Sequence, residues 1–407
     1  MIHSKIKVGL FGFGVVGQGF YSLVKSRASD RIEIVHIAVK NPDKERSLPL
    51  SEFTFNYHVL LNDTEVELVV EATDDVQAAY DIVKTSLLRG ISVVSANKKL
   101  LASHLEEFIK ISKDSGAQLI FEAAAAAAIP VIGLLDVYFS SEPVKNISGI
   151  VNGTTNYILS QMRDNHLTYD TALKNAQELG FAESNPSSDV DGFDAAYKIV
   201  LLTAHAFGQI IKPSDVIRYG IRFIKDTDIQ NATENNKVIK LIASSTLTNN
   251  GIVATVLPTL INKEDKLAQI SAEFNAISIE AEDSGSHFFI GKGAGSLPTG
   301  AALIKDVLRI KNGGYDYNKL KNNNKFEDEI NLSLELIFTF DKSIEINGFE
   351  EIESYQLLDN KKQIKGWISY QELKEQLPFL EKNNAGIIAT GNKSIRKGKL
   401  VRDLNLS

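Results

Sequence analysis

From Lys5 to Glu122, short apolar runs alternate with segments of helical period. Lys5–Phe11, Ile32–Val39, Glu67–Glu71, Ile91–Ser95 and Gln118–Glu122 read as strands. Between them Phe20, Leu23 and Val24 recur at helical spacing, and Asp75–Arg89 and Leu101–Ser115 carry helical patterns. Strands alternating with helices at this spacing predict a parallel, doubly wound sheet.

The character changes near Ser140. Lys145–Val151 reads as a strand. Asn152 to Asn156, N-G-T-T-N, is a turn and helix start, with a helix from Tyr157. A further helix, Tyr169–Leu179, stops at Gly180, and another runs on to Phe207. Alternation in Ile252–Leu257, Ala276–Ile279 and His287–Ile290 predicts antiparallel strands. Gly291 to Gly300, G-K-G-A-G-S-L-P-T-G, lacks the G-K-[ST] ending of a P-loop and reads as a close-packed turn before a helix through Leu308. After Ile310 the chain becomes polar and asparagine-rich, as in a linker. Leu332–Phe340, Ile364–Leu377 and Gly386–Thr390 then form a small α/β unit with no evident chemistry. The expected fold is α/β: a doubly wound parallel (Rossmann) sheet, an α+β substrate and dimerisation domain, and a small C-terminal α/β domain. The expected domains are 1–140, with 291–311 a candidate to pack back onto it, then 141–311, then 325–407 in a candidate regulatory role.

Composition narrows the class. Of 407 residues, 43% are hydrophobic and 23% charged, ordinary for a soluble globular protein. A net charge of −7 argues against a nucleic-acid partner or an anionic membrane surface. The absence of cysteine removes disulfides, thiolate metal sites and thiol nucleophiles. Histidines are not clustered, which disfavours a transition-metal site, and His205 reads as a packed helix residue. The longest apolar run is broken by proline and glycine, and no signal-peptide flank precedes the first strand, so the expected compartment is the cytoplasm.

Candidate chemistry falls in two places. Gly12-Phe-Gly14-Val15-Val16-Gly17 sits between the first strand and the first helix, the order that a dinucleotide-binding turn needs. There Gly12 permits the tight turn, Gly14 the approach of a pyrophosphate, and Gly17 close helix–strand packing. At the end of the second strand, where an acidic residue would bind a ribose 2′-hydroxyl, stand Lys40 and Asn41, with Lys44 and Arg46 nearby. A cation there suits a 2′-phosphate, favouring NADP with NAD as the alternative; a solvated loop lysine is the plainer reading. Thr73 and Lys98 follow strand carboxyl ends, where ligands bind in such sheets. The second place is Glu183 to Lys198, E-S-N-P-S-S-D-V-D-G-F-D-A-A-Y-K. Asp194 and Lys198 are four apart and share a helix face, and Ile199–Leu202 bury that helix. Taken alone, this stretch is equally a helix-start ion pair or a site. Ala123 to Ala128 is a run of six alanines between a probable strand and Ile129-Pro130, suited to a tight crossing or to an engineered segment.

Five segments together resemble the homoserine dehydrogenases: Gly12–Gly17, Ser95–Ala102 (SANKKLLA), Phe121–Ile132, Gly149–Leu159 (GIVNGTTNYIL) and Ala176–Lys198. They span about residues 5 to 310, three quarters of the chain. The resemblance implies interconversion of L-homoserine and L-aspartate 4-semialdehyde with NAD(P), on the route to threonine and methionine, by a homodimer. It implies Lys198 as acid/base and Lys98 as a second lysine near cofactor and substrate. Gly180 and Glu183 would open the substrate segment, with Glu183, Asp189 and Asp194 holding the substrate ammonium group. Gly12, Gly14, Val15, Val16, Gly17, Lys40, Thr73 and Lys98 would line the cofactor. Glu122 and the carbonyls of Ala125, Ala127 and Ile129 would hold a sodium ion. This chain departs from the pattern in its all-alanine loop, since alanine restricts the positive-φ conformations open to glycine. It also lacks the R-P-G start of the ACT regulatory domains of longer members.

Two other readings stand beside this one. A phosphorylating aldehyde dehydrogenase of similar fold needs a cysteine nucleophile, which this chain lacks. A catalytically silent dinucleotide sensor is opposed by the Asp194–Lys198 pair and by Lys98.

Overall fold

A computed structural model describes residues 4–317, 320, 332–358 and 360–394. The chain divides into two compact units. The first is Met1–Pro143, Val200–Pro213 and Gly291–Asn322; the second is Val144–Ile199, Ser214–Ile290 and Asn323–Ser407.

In the first unit β1 (Ile6–Phe11) leads into α1 (Val15–Leu23), followed by β2 (Ile32–Ala38), β3 (Phe53–Thr54) and α2 (Tyr57–Asn62). Next come β4 (Leu68–Glu71), α3 (Val76–Leu88), β5 (Ser92–Ser95), α4 (Lys98–Ser115), β6 (Leu119–Ile120), α5 (Glu122–Ala126) and α6 (Val131–Val137). The six strands form a parallel sheet in the order β3-β2-β1-β4-β5-β6. Its central strands carry Val8, Leu10, Val69, Val70, Val93 and Val94, all without exposed surface, as a sheet covered on both faces requires. Helix α4 begins at Lys98, three residues before the periodicity starts, because the Asn97 side chain accepts from the Leu100 N–H and caps it.

The alanine run was expected to follow a strand that includes Glu122. Instead Glu122 opens α5, and Ala123–Ala126 are buried in that short helix, with Ala127 buried just after it. The helix Ser296–Ile310 packs on α5, and its Asp306 accepts from the Ala123 N–H at 3.1 Å, so only small side chains fit between them. The same helix packs on α1, where a Cβ on Gly19 would stand 2.1 Å from the Ser296 carbonyl. The Gly291–Gly300 segment thus makes close backbone approaches. His205 packs among Phe121, Tyr315 and Tyr317.

The second unit runs β7 (Val144–Ile150), α7 (Gly153–Asp164), α8 (Tyr169–Glu178), α9 (Ser187–Val190) and the start of α10 (Phe193–Phe207). Then come β8 (Ile217–Arg218), α11 (Asp226–Glu234), β9 (Lys237–Thr248), β10 (Gly251–Asn262), β11 (Phe274–Ala281) and β12 (Gly285–Lys292). With Ser296–Ile310 counted as α12, the last elements are β13 (Ser333–Asp341), β14 (Phe349–Leu358), β15 (Lys361–Ser369), α13 (Tyr370–Lys382) and β16 (Gly386–Ser394). The strands make one mixed sheet in the order β12-β11-β7-β9-β10-β16-β13-β15-β14, with β8 beside β10. The boundary expected near residue 325 lies outside the described residues, and strands from both sides of it belong to this one sheet. Leu336, Phe338, Ile364 and Ile387 from the C-terminal strands share a core with Ile217, Tyr219, Val253 and Leu257.

One residue of the first unit is strained. Ala127 has φ 46° and ψ −105°, outside the regions open to a side chain with a Cβ. Such a conformation costs about 1–3 kcal/mol, and glycine returns about 0.5–1 kcal/mol of that through unfolded-state entropy. Ala127→Gly is expected to stabilise the protein by about 1 kcal/mol. Urea denaturation checks this: a raised midpoint is expected, and a lowered one contradicts the strain.

Candidate active site

The second unit builds a buried polar cluster around α10. Lys198 and Asp194, one turn apart, form an ion pair at 2.8 Å with 6% and 4% of their side chains exposed. Lys198 Nζ also donates to the Val151 carbonyl at 2.6 Å. An ammonium so buried needs both acceptors, because leaving water costs several kcal/mol per ion. Asn152 supplies the rest of the frame. Its side-chain N–H₂ donates to Asp189 at 2.7 Å and to Asp194 at 2.9 Å, while its carbonyl oxygen accepts from the Thr155 N–H and caps α7. One amide thus joins the two expected aspartates to the helix start. The sequence reading missed Asn152 as a site residue, although Asn-Gly-Thr-Thr was itself the signal of a capped helix.

Gly180 ends α8 with φ 76°, as a left-handed helix stop. The loop after it is tied to α7: Thr154 Oγ1 donates to the Phe181 carbonyl at 2.7 Å, and the Phe181 ring lies 5.0 Å from that of Tyr157. Glu183 is exposed on this loop, its carbonyl accepting from Gln177 at 3.0 Å. Asp191, in the same stretch, pairs with Arg222 at 2.7 and 2.8 Å.

In the first unit the expected cofactor residues follow the carboxyl ends of β1, β2, β4 and β5. Gly12 has φ 89°, and a Cβ there would meet the Ala72 carbonyl at 2.4 Å; one on Gly17 would meet the Gly12 carbonyl at 2.1 Å. Only glycine allows this turn. Gly14 brings no side-chain cap to α1, and Val15 beside it is exposed. An uncapped first turn beside an apolar residue fits the phosphates of a dinucleotide. Glu71, at the end of β4, is fully buried. It accepts from Thr73 N and Oγ1, both at 2.7 Å, and from Ser95 Oγ at 2.6 Å. Burial raises its pKa, against those hydrogen bonds. Asn97 donates to the Thr73 carbonyl at 3.2 Å and caps the helix that starts at Lys98. Glu71 therefore sets the two loops that carry Thr73 and Lys98. No sequence motif marks it, because its role depends on β4 lying beside β5. Lys40 pairs with Asp75 at 2.8 Å. Arg46 is held in the loop after β2 by the Lys44 and Asn41 carbonyls at 2.8 and 2.7 Å, with its guanidinium over Phe53.

Two of the four groups implied for a cation also accept backbone hydrogen bonds. The Glu122 carboxyl accepts from the N–H groups of Ile132 and Gly133 at 2.8 and 2.7 Å, and the Ile129 carbonyl accepts from Val131 at 2.9 Å. Burial pushes Glu122 up to about 7 against those two hydrogen bonds. As arranged, Glu122 caps the first turn of α6.

The homoserine dehydrogenase family model matches residues 130–308, and the model of that family's NAD-binding domain matches residues 12–122. The chain is 34% identical over 316 residues to the homoserine dehydrogenase of Lactococcus lactis, covering 75% of this chain and 74% of that one. The chain belongs to the homoserine dehydrogenase family. A crystal structure of a homoserine dehydrogenase from Thiobacillus denitrificans superposes with a TM-score of 0.81 at 27% identity, over 96% of this chain and 99% of that one. A hyperthermophilic archaeal homoserine dehydrogenase in complex with NADPH gives 0.67 at 26% identity, over 78% and 100%. A homoserine dehydrogenase is an oxidoreductase, and the uncapped glycine turn of the first unit suits its nicotinamide dinucleotide. Among the described residues, no helix is long and apolar enough to cross a membrane.

Asn152→Ala removes the amide that joins Asp189 to Asp194. The expected outcome is a fall in kcat/KM for homoserine of about tenfold or more, with cofactor affinity unchanged. Steady-state kinetics and a cofactor titration check this; kinetic constants within twofold of wild type contradict it.

Proposed function

We propose that Lys198 is the proton donor and acceptor of the homoserine–aspartate semialdehyde interconversion. The single observation that carries this reading is the Lys198 ammonium held between the Asp194 carboxylate and the Val151 carbonyl. Both partners favour the charged form. In the direction of reduction, that ammonium gives a proton to the aldehyde oxygen as it becomes an alkoxide; in the direction of oxidation, the neutral amine takes it back. A nicotinamide cofactor would supply the hydride chemistry, leaving position and proton to the residues of this chain. Asp189 and Asp194, with Glu183, are read as holding the substrate ammonium group, and Lys98 as the second cation, beside cofactor and substrate. A monovalent cation at Glu122 and the carbonyls of Ala125, Ala127 and Ile129 is carried from the family resemblance, with Glu122 also capping α6. A homodimer, the cytoplasm and a place in threonine and methionine synthesis follow from the family resemblance.

Absorbance at the nicotinamide band, followed with homoserine and each cofactor, tests the proposal. Lys198→Met is expected to keep cofactor binding and lose turnover by about 10²–10⁴-fold, the range of a general acid–base group. Near-normal turnover in that variant sinks the assignment.

The cofactor is proposed to be NADP rather than NAD. Support comes from the strand end that lacks an acid and from Arg46, already oriented by two carbonyls. Lys40, engaged with Asp75, is the weaker of the two cations for a 2′-phosphate. Arg46→Ala is expected to lower kcat/KM for NADPH by about tenfold and leave that for NADH unchanged. A wild-type preference for NADH contradicts this reading.

A further inference from the structure

Lys240, near the start of β9, is a side chain that the proposed chemistry does not use, and it is only 1% exposed. Its Nζ donates to the Asn156 side-chain oxygen at 2.8 Å and to the Ile270 carbonyl at 2.6 Å. Both acceptors are neutral. Burial pushes its pKa down to about 7, with Arg163 adding to the fall and Asp164 opposing it. Even as the neutral amine it keeps an N–H for each acceptor. An apolar side chain would fill this place without taking an ammonium out of water. What the lysine adds is a tie between α7 and a segment 114 residues away.

Asn156 carries the tie further. Its side-chain N–H₂ donates to the carbonyls of Ile270, Ala272 and Phe274 at 3.3, 3.0 and 3.1 Å. Three carbonyls of one short segment thus turn inward, with Ala272 at a left-handed φ of 55°. That segment lies against the first turn of α7, where a Cβ on Gly153 would stand 2.6 Å from the Glu273 carbonyl. Gly153 follows Asn152, whose amide holds Asp189 and Asp194. Asn156 is bonded to Asn152 as well, its N–H donating to the Asn152 carbonyl at 3.2 Å.

We propose that Lys240 is a positioning residue of the reaction: through Asn156 and the 270–274 segment it fixes the turn that carries Asn152, and with it the spacing of Asp189 and Asp194. This rests on reading those aspartates as holders of the substrate ammonium group. That group does not react, so its contacts are alike in ground state and transition state. Loosening them raises KM and spares kcat. A loss of folded protein does the opposite, since fewer active sites lower the apparent kcat and leave KM alone.

Steady-state kinetics of the full chain with homoserine, beside a cofactor titration, separate the two. Lys240→Met is expected to raise the KM for homoserine by about tenfold, to keep kcat within about threefold and to leave cofactor affinity unchanged. Lys240→Gln, which keeps a donor, should fall between. Asn156→Ala should raise KM as Lys240→Met does. The double variant should exceed the worse single by no more than about twofold, because both act through one tie. An unchanged KM in Lys240→Met, a fall in kcat at constant KM, or a double variant showing the product of the single effects overturns the proposal. Failure of Lys240→Met, Lys240→Gln and Asn156→Ala alike to fold, read by circular dichroism, also overturns it, since the tie then serves folding alone. Asp189→Asn tests the reading beneath. A normal KM there removes the aspartates as ammonium holders, whereas a raised KM there with a normal one in Lys240→Met removes Lys240 alone.

Discussion

The ion pair between Lys198 and Asp194 is the constraint on which the second unit's site depends. Two charges with so little exposed surface would be unfavourable by several kcal/mol each if unsatisfied. They persist because each is met from outside the helix: Lys198 by the Val151 carbonyl, Asp194 by the Asn152 amide. Those two groups lie at the junction of β7 and α7, so strand end, helix cap and buried pair form one arrangement. Removing one partner from such an arrangement costs about 3–5 kcal/mol, because the other charge is left buried. Under the role proposed for Lys198, stability and chemistry make the same demand on these residues.

The first unit solves a different problem with backbone. Its glycine turn works by what is missing, since a Cβ on Gly12 or Gly17 would strike a carbonyl. The loops opposite are set by one buried carboxyl, that of Glu71, which engages Thr73 and Ser95 on adjacent strand ends. A carboxyl at that depth is kept by its hydrogen bonds from Thr73 and Ser95. The alanine segment repeats the theme of small groups at close approach. Its Ala127, however, occupies a conformation suited to glycine, a local conflict within a well-packed turn.

Much of this was legible beforehand where the signal is local. The strand-turn-helix order around Gly12–Gly17, the cap before α7, the helix stop at Gly180 and the four-residue spacing of Asp194 and Lys198 are written in adjacent residues. Less legible were β9 and β14, which the periodicity did not reveal. β9 is buried over most of its length and lacks the polar–apolar alternation that marks a half-exposed strand. The pairing of Asp191 was illegible for a similar reason: its partner Arg222 is 31 residues away and met only through the fold.

By itself the sequence determined the doubly wound sheet, the dinucleotide turn, the family and the pairing of Asp194 with Lys198, because each depends on periodicity or on residues within a few positions of one another. Tertiary structure alone decided three things: that one amide from Asn152 holds both Asp189 and Asp194, that Glu71 ties Thr73 to Ser95 across two strand ends, and that the C-terminal strands join the sheet of the second unit. Each is a contact between residues distant along the chain. Burial forces such polar groups to find partners, but which partner they find depends on how the strands order themselves in the sheet. The Glu183–Lys198 stretch alone was equally a helix-start ion pair or a site; the carbonyl of Val151 and the amide of Asn152 are what make it a buried, organised cluster.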